Sequence, residues 1–492
     1  MKNNVILRNS LYELLYQLLI IIRGFILSKL IINVFGSNIN GLIVSITNFL
    51  AYITLLDAGV NVVIKSRLYK PIVDDDKEQI AKILGGANNF FKRIALIFII
   101  YIIGLLIMYP LINNNFKWDF IDLLIIVISI STFIEYYLNI TYRIFLQASG
   151  KSYIVSIVNS IITIISTIVV VILINKIHNI IIIKLISNLI LILSPIIFSL
   201  YTKRKYKLNI KNKKEYKIKD KWDGLYQHIA WVIYNKTDII VLTLFSSLIN
   251  VSIYSIYSFV CIGLRNLINA ITSGIDATFG KIIAKGNFDL LNKKFNIYEI
   301  IYYSLIPIIF STAILMIIPF VKVYTIGIND ANYINYPFGI IMIICQFVIA
   351  IRIPYRALIH GIGHFKETKN GAIIECILNI LISIILVFKL GLVGVAIGSL
   401  VSTLVRTVEF IYHANKYILK RNIISSIKKI LIIIVETIII ILVSKYISYG
   451  SDINYLNFFI NLLITILIST IIVGIINLIL YNKEIKNLIK LN

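Results

Sequence analysis

Positively charged side chains interrupt several otherwise apolar stretches of this sequence. Arg23 and Lys29 lie within the apolar run 11–35, and Arg265 lies within the run 251–276. A charge in the hydrocarbon core costs about 2.5–3.5 kcal/mol on insertion scales, so such residues face a cavity, a partner or the headgroups. Arg binds a phosphate group through paired hydrogen bonds, and Lys binds it as a point charge. The three residues therefore indicate an anion-binding cavity inside a membrane.

Four further arginines occur in or at the ends of apolar runs: Arg143, Arg352, Arg356 and Arg406. For these we expect ion pairs between helices or a gate at the cytoplasmic side, because acidic residues share the same runs. Ion pairing is also the alternative to the cavity for the first three cations. The acidic residues that could pair are Asp57, Asp238, Asp276, Glu135, Glu375, Glu409 and Glu436.

The composition requires a membrane as the main solvent. Of the 492 residues, 59% are hydrophobic, and the mean hydropathy is +0.91, whereas soluble domains are about half apolar. Apolar segments long enough to cross a ~30 Å hydrocarbon core recur along the chain. We predict an all-α integral membrane protein of about fourteen transmembrane helices, at 11–35, 40–65, 88–112, 120–147, 152–174, 178–201, 222–247, 251–276, 297–323, 335–360, 368–388, 391–415, 427–448 and 454–481.

The net charge of +25 is distributed unevenly between the two sides of this topology. With the N-terminus inside, 34 of the 48 lysines and arginines fall on the cytoplasmic side, and five fall on the outer side. The positive-inside rule then places both termini in the cytoplasm and the chain in the cytoplasmic membrane. The basic run 203–221 is expected to meet anionic membrane lipid, so no nucleic-acid partner is predicted.

Residues for catalysis or metal binding are not arranged in a recognisable pattern. Cys261, Cys345 and Cys376 lie in apolar segments without ligand spacing, so we predict neither disulfides nor a metal site, and no cofactor. The five histidines, His178, His228, His360, His364 and His413, form no catalytic constellation, and the outer loops are short. A membrane-embedded polymerase or acyltransferase is therefore the weakest of the functions considered, and we predict that the chain is not an enzyme.

The sequence contains an internal repeat. Residues 35–49 resemble residues 245–259 at an offset of 210, and Tyr142-Arg143 with Gly150 recurs as Tyr355-Arg356 with Gly363 at an offset of 213. Repeats of this kind give two pseudo-symmetric lobes with the substrate between them. We predict an N-lobe of six spans at 1–202, a basic cytoplasmic linker at 203–221, a six-span C-lobe at 222–420, and spans 13 and 14 with a cytoplasmic tail at 421–492.

Several short strings occur in an order typical of one family. They are Leu68–Pro71, Thr237–Val241, Val251–Tyr257, Gly363–Lys369 and Gly391–Gly398. With them, residues 5–420 resemble the Wzx-type polysaccharide flippases of the multidrug/oligosaccharidyl-lipid/polysaccharide (MOP) exporter superfamily. The resemblance implies a transporter that moves an undecaprenyl-diphosphate-linked oligosaccharide from the inner to the outer leaflet by alternating access. Such a protein serves lipopolysaccharide or capsule biosynthesis, with a polysaccharide polymerase and chain-length proteins as partners.

The resemblance also assigns roles to residues. It implies that the diphosphate is bound by Arg23, Lys29, Lys65, Arg67 and Arg265. It implies a coupling cation, Na⁺ or H⁺, at Asp238, Asn379, Ser383 and Ser399, where Ser383 replaces a second carboxylate of the family pattern. A cation-coupled exporter of drugs or small molecules from the same superfamily is the alternative, but it would favour carboxylates over cations within the spans.

The predicted topology can be tested by cysteine labelling. In a background without cysteines, residues introduced at Lys214 and Asn487 should be shielded from an impermeant maleimide in intact cells, whereas one at Asn114 should react. Labelling in permeabilised cells controls for reactivity at each site. Reaction at Lys214 in intact cells would reverse the orientation.

Overall fold

A computed structural model describes residues 3–57, 60–113, 115–206, 225–272, 275–445 and 454–482. The regular secondary structure of these residues is helical, and no strand occurs among them. A helix satisfies its backbone hydrogen bonds within one segment, which the bilayer core requires because it offers no water. The predicted all-α class is therefore confirmed for the described part of the chain.

The chain divides into two compact units, Met1–Ser252 and Ile253–Asn492. The first unit contains α1 (Asn3–Phe35), α2 (Ser37–Leu50), α3 (Val60–Val73), α4 (Lys77–Ile112), α5 (Trp118–Ile134), α6 (Ile140–Ala148), α7 (Ser152–Ile174), α8 (Ile180–Leu191), α9 (Leu193–Tyr206) and α10 (Leu225–Phe245). A 3₁₀ turn, Ala51–Leu55, extends α2, and a π-helical turn, Glu135–Asn139, joins α5 to α6.

The second unit begins within α11 (Leu248–Thr272). It continues with α12 (Ile275–Ala284), α13 (Phe288–Tyr324), α14 (Tyr336–Ile362), α15 (Lys369–Leu390), α16 (Leu392–His413), a π-helical turn (Ala414–Leu419), α17 (Ile424–Ser444) and α18 (Tyr455–Leu480). The boundary at Ser252 differs from the predicted linker at 203–221, of which residues 207–221 lie outside the described residues. The predicted division into lobes stays a prediction.

Twelve helical segments in the described residues are long and apolar enough to cross a membrane, so the count of fourteen is not confirmed. The two missing spans are the predicted spans 7 and 13, which correspond to α10 and α17. Lys236 and Asp238 lie within the polar stretch 234–238 of α10, and α17 carries Lys428, Lys429 and Glu436. These polar groups lower the apolar character of both helices although each is 21 residues long.

Two predicted spans are interrupted. The predicted span 40–65 becomes α2, its 3₁₀ turn and a separate α3, so Lys65 and Arg67 lie on α3. The predicted span 178–201 is divided between α8 and α9 at Ile192, just before Pro195. Pro195 has no amide hydrogen, so it fits the first turn of α9 but could not continue α8.

The local structure at the repeated Tyr-Arg-Gly motif is the same in both units. Gly150 follows α6 with φ 70°, and Gly363 follows α14 with φ 83°. In each case the next residue donates a hydrogen bond five residues back, from Lys151 to Leu146 and from His364 to Ile359. This is the Schellman helix end, in which glycine adopts the left-handed conformation without a steric penalty. The common cap supports the internal repeat found in the sequence.

A buried ion cluster fastens the start of α17 to α13. Glu299 on α13 is fully buried and accepts hydrogen bonds from Arg421 at 3.0 Å and from Lys429 at 2.6 Å. The Tyr355 hydroxyl donates to the same carboxylate, and Lys429 also donates to Asn296. The single carboxylate of Glu299 can neutralise only one of the two cations, Arg421 and Lys429. It also anchors the last helix pair, α17 and α18.

Replacing Glu299 with Gln should destabilise the protein. The change leaves Arg421 and Lys429 without their shared counter-charge, and breaking a buried ion pair costs about 3–5 kcal/mol. Glu78→Gln is the matched control, because Glu78 forms an exposed pair with Lys82 at 3.2 Å and such pairs contribute less than about 1 kcal/mol. Thermal unfolding in detergent measures both variants, and equal melting temperatures would contradict the role of the cluster.

Candidate functional site

Arg23 projects from the middle of α1 toward two serines of the first unit. Its guanidinium donates to the hydroxyl of Ser166 on α7 at 3.4 Å and to that of Ser187 on α8 at 3.3 Å. The two hydroxyls also contact each other at 3.0 Å and are buried. Among the described residues, no carboxylate lies within ion-pair distance of Arg23. The cation is held by neutral groups.

A second cation, Lys184 on α8, lies near Arg23, and the two charges repel each other. Within the described part of the chain Lys184 has no hydrogen bond and no ion pair. Lys184 is not among the site residues predicted from the sequence. The available signal was a lone lysine within an isoleucine-rich span, because Ile180–Ile183 immediately precede it.

A polar cavity lies beside these cations in the first unit. It consists of two adjoining spaces of about 350 and 200 Å³ that share Thr132, Glu135, Ile140 and Arg143 as walls. Asp57 and Tyr136 line the larger space, and the tyrosine hydroxyl donates to Asp57 at 2.9 Å. The smaller one is completed by three apolar residues and by the polar residues Tyr16, Ser131, Asn159, Thr163 and Ser194.

The smaller space extends toward Arg23. Thr163 precedes Ser166 by three residues on α7, so both lie on one face of that helix, one turn apart. Tyr16 lines the same space and interacts electrostatically with Arg23 and Arg143. The cavity therefore has a cation at its wall, Arg143, and another about one turn beyond its end, Arg23.

The wall shared by the two spaces is built on a π-helical turn. Glu135 begins this turn, and its carboxylate pairs with Arg143 on α6. A π-helical turn shifts the helix register and is frequent at functional sites. Of the two roles expected for Arg143, the structure shows an ion pair, and this pair lies at the cavity rather than in the protein core.

The other cations expected to bind the diphosphate are dispersed. Lys29 on α1 and Lys65 and Arg67 on α3 are half-buried in the first unit, and Lys65 lies within electrostatic range of Arg143 and Glu13. Arg265 lies on α11 in the second unit, where its Nε and Nη2 donate to the Gln346 amide oxygen at 3.4 and 3.2 Å.

The arginines of the second unit form a network with carboxylates. Arg352 on α14 donates to Glu375 on α15 at 2.8 Å, and Arg406 on α16 lies 3.7 Å from the same carboxylate. Arg406 also pairs with Glu409 and donates to the Thr368 carbonyl at 2.7 Å. Arg356 is half-buried near the end of α14. This network fixes three helices to one another.

Three of the four residues expected to bind a coupling cation lie on adjacent helices. The Asn379 amide on α15 donates to the Ser399 hydroxyl on α16 at 2.9 Å, and Ser383 donates to the Val395 carbonyl at 3.4 Å. The helices approach so closely that a Cβ added at Gly398 would lie 2.2 Å from the Ser383 hydroxyl. Asp238 lies on α10, in the first unit, and is buried.

Lys236, two residues before Asp238 on α10, has a partner on another helix. Its amine donates to the side-chain oxygen of Asn48 on α2 at 3.1 Å. Among the described residues, no group of three or more His, Cys, Asp or Glu side chains could hold a metal ion.

Solved transporter structures resemble this fold over most of its length. The lipid II flippase MurJ in an inward closed conformation aligns with a TM-score of 0.72 and 16% identity, covering 97% of this chain and 99% of that chain. An inward-facing multidrug resistance MATE family transporter of the MOP superfamily aligns with a TM-score of 0.61 and 16% identity, covering 85% and 99%. A ligand-bound structure of the MATE multidrug transporter DinF-BH aligns with a TM-score of 0.57 and 13% identity, covering 85% and 96%.

No protein-family model matches the sequence, and no curated protein matches it significantly. Each of the two MATE transporters covers 85% of this chain. Residues 421–492, which contain the last helix pair and the tail, make up a fraction of the chain close to the part left uncovered. The MurJ alignment covers almost the whole of both chains. This chain is therefore a multi-pass membrane protein with the fold of the MurJ flippase and of the MATE transporters of the MOP superfamily.

Proposed function

We propose that this chain is a Wzx-type flippase of the MOP superfamily. It moves an undecaprenyl-diphosphate-linked oligosaccharide from the inner to the outer leaflet of the cytoplasmic membrane, for surface polysaccharide synthesis. The observation that carries the proposal is the pair Arg23 and Lys184, two neighbouring cations without a carboxylate partner among the described residues. An anionic ligand would supply the counter-charge that the protein does not.

The contacts of Arg23 suit the exchange of partners during transport. The contacts of Arg23 to the two hydroxyls are long, at 3.4 and 3.3 Å, and they lack the opposite charge that makes an N⁺–H···O⁻ bond short and strong. Arg23 therefore gains by leaving Ser166 and Ser187 for a diphosphate. Arg406 would gain less, because it already contacts two carboxylates. This difference favours Arg23 as a ligand-binding residue and Arg406 as a structural one.

The likeness to MurJ supports this substrate class over a soluble one. MurJ is a flippase of lipid II, and its fold matches the present chain over nearly the full length of both. The proposal further includes Lys29, Lys65, Arg67 and Arg265 as contacts to the diphosphate at other stages of an alternating-access cycle. A polysaccharide polymerase and chain-length proteins are the proposed partners, and both termini are proposed to face the cytoplasm.

A coupling cation, Na⁺ or H⁺, is proposed at Asp238, Asn379, Ser383 and Ser399. Any such ion drives the cycle only by binding one conformation better than another. The hydrogen bonds Asn379–Ser399 and Ser383–Val395 support the part of this site on α15 and α16. Asp238 would contribute a buried carboxylate from α10.

Export of an organic cation is the second candidate function. The carboxylates of Asp57 and Glu135 in the cavity of the first unit favour it, as does the likeness to MATE transporters. However, Asp57 accepts a hydrogen bond from Tyr136 and Glu135 pairs with Arg143, so both carboxylates already have partners. This arrangement makes the lipid-linked anion the better supported substrate.

Substitution of the two deep arginines tests the proposed function. In cells that depend on this chain for surface glycan, Arg23→Ala and Arg265→Ala should abolish glycan export while leaving membrane protein levels normal. Arg204→Ala is the matched control, because Arg204 is exposed in the last turn of α9 and should leave export intact. Surface glycan is measured with a lectin or antibody. Full export by the double variant would remove both arginines from the mechanism.

A further inference from the structure

The last helix pair turns polar residues inward and apolar residues outward. On α18 the buried positions are Thr465, Ser469, Val473 and Asn477, at four-residue spacing, and three of the four are polar. On α17 the buried positions include Ser426, Lys429, Glu436 and Ser444. Lipid tails solvate apolar side chains as well as a protein interior does, so polar contacts hold membrane helices together.

Three polar groups on these two faces have hydrogen-bond partners on α13. Asn477 donates to the Ser304 hydroxyl at 3.2 Å, and the hydroxyls of Ser311 and Ser469 lie 3.3 Å apart. Lys429 is bound to Glu299. These contacts hold the last helix pair, α17 and α18, against α13.

Glu436 has no such contact, and in the described part of the chain the buried Ser444 hydroxyl at the end of α17 also lacks a hydrogen bond. Glu436 lies in the middle of α17 with 1% of its surface exposed, and neither carboxyl oxygen has a hydrogen-bond partner among the described residues. Glu436 and Lys429 are seven residues apart, so they lie on the same face of α17, about 10.5 Å apart along its axis. The amine of Lys429 is already engaged by Glu299, so it does not neutralise Glu436.

The titratable groups on the helices packed against α17 also have other partners. On α13, the Tyr302 and Tyr303 hydroxyls donate to the Ala350 and Ile351 carbonyls at 3.0 Å each. On its inner face α18 has neither an acid nor a base. Across the groove on the other side of α17, the walls from α14 and α16 are apolar apart from Thr407. Charged residues on α13, α14, α16 and α17 include Glu299, Arg352, Arg406, Lys428 and Lys429, and the first three are held in ion pairs with other residues.

An ionised carboxylate without a hydrogen bond or counter-charge is strongly unfavourable in a low-dielectric medium. Such a group takes up a proton and becomes neutral instead. A sodium ion would need several oxygen ligands, whereas a proton needs only the carboxyl group. We propose that Glu436 is a proton-binding site, whose carboxyl group is neutral in this conformation.

The proton site at Glu436 has a consequence for transport. This consequence rests on the proposed function. The proton leaves Glu436 only when water or a cation reaches the carboxylate, so its release accompanies separation of α17 from α13. Glu436 thus links external pH to the position of the last helix pair. It is separate from the coupling residues Asn379, Ser383 and Ser399, which lie on α15 and α16.

Infrared spectroscopy tests protonation directly and does not depend on any substrate. The purified protein in lipid vesicles at neutral pH should show the absorption of a protonated carboxyl group, which shifts in D₂O and is lost in Glu436→Gln. Glu78→Gln is the control, because Glu78 is exposed and paired with Lys82. The band should be the same in sodium and in potassium buffers. An unchanged band in Glu436→Gln, or a band that sodium removes, would overturn the assignment.

Two further measurements separate a binding role from a packing role. Glu436→Gln should keep the wild-type melting temperature, because a neutral amide replaces a neutral carboxyl group, whereas a marked loss of stability would show an ionised, structural carboxylate. In a transport assay the same variant should lose the pH dependence of the wild-type rate. A transporter that retains the full pH response would contradict the role in transport while leaving the infrared result, and the proposed substrate, to stand independently.

Discussion

The inability of the bilayer core to solvate charge is the constraint on which this structure depends. Each buried cation must find a carboxylate, a set of neutral dipoles or a ligand. Arg143, Arg352, Arg406 and Arg421 have carboxylate partners, and these pairs fix helices within each unit. In the part of the chain that the structure describes, the hydrogen-bond partners of Arg23 are hydroxyls, so its charge remains available. The difference between these two classes separates the residues that hold the fold from those proposed to bind substrate.

The same constraint applies to acids, and two buried glutamates meet it in different ways. Glu299 is fully buried and pairs with both Arg421 and Lys429, which supply more positive charge than one carboxylate can neutralise. Glu436, two helical turns beyond Lys429, is buried without a hydrogen-bond partner among the described residues and is proposed to be protonated. One face of α17 thus carries an anchor near its start and a titratable group at its centre.

Most of the fold could be predicted from the sequence because hydropathy reports directly on burial in lipid. In the described part of the chain, twelve of the fourteen predicted spans are matched by helical segments long and apolar enough to cross a membrane. The other two, α10 and α17, form helices of 21 residues whose polar groups reduce their apolar character. The repeat predicted from Tyr142-Arg143 and Tyr355-Arg356 is matched by equal helix caps at Gly150 and Gly363. Local chemistry alone determines such caps.

The arrangement of the site was less predictable, because periodicity gives the face of a helix but not its neighbour. The sequence supplied Glu135 as one of seven candidate partners for Arg143, and only the fold shows that the pair forms on a π-helical turn beside a cavity. Lys184 was overlooked because one lysine in an apolar span has no spacing to interpret. Its importance comes from the packing of α8 beside α1, which brings it near Arg23.

The binding preference of the purified protein tests the central claim most directly. We expect an undecaprenyl-diphosphate-linked oligosaccharide to bind in native mass spectrometry, and the loss of the contacts from Arg23 and Lys184 to weaken binding by about 10–100-fold per residue, as expected for charge-assisted bonds of about 1.5–3 kcal/mol. Arg204→Ala should bind as the wild type does. Preferential binding of an organic cation such as a rhodamine dye, unaffected by Arg23→Ala and Lys184→Ala, would contradict the account.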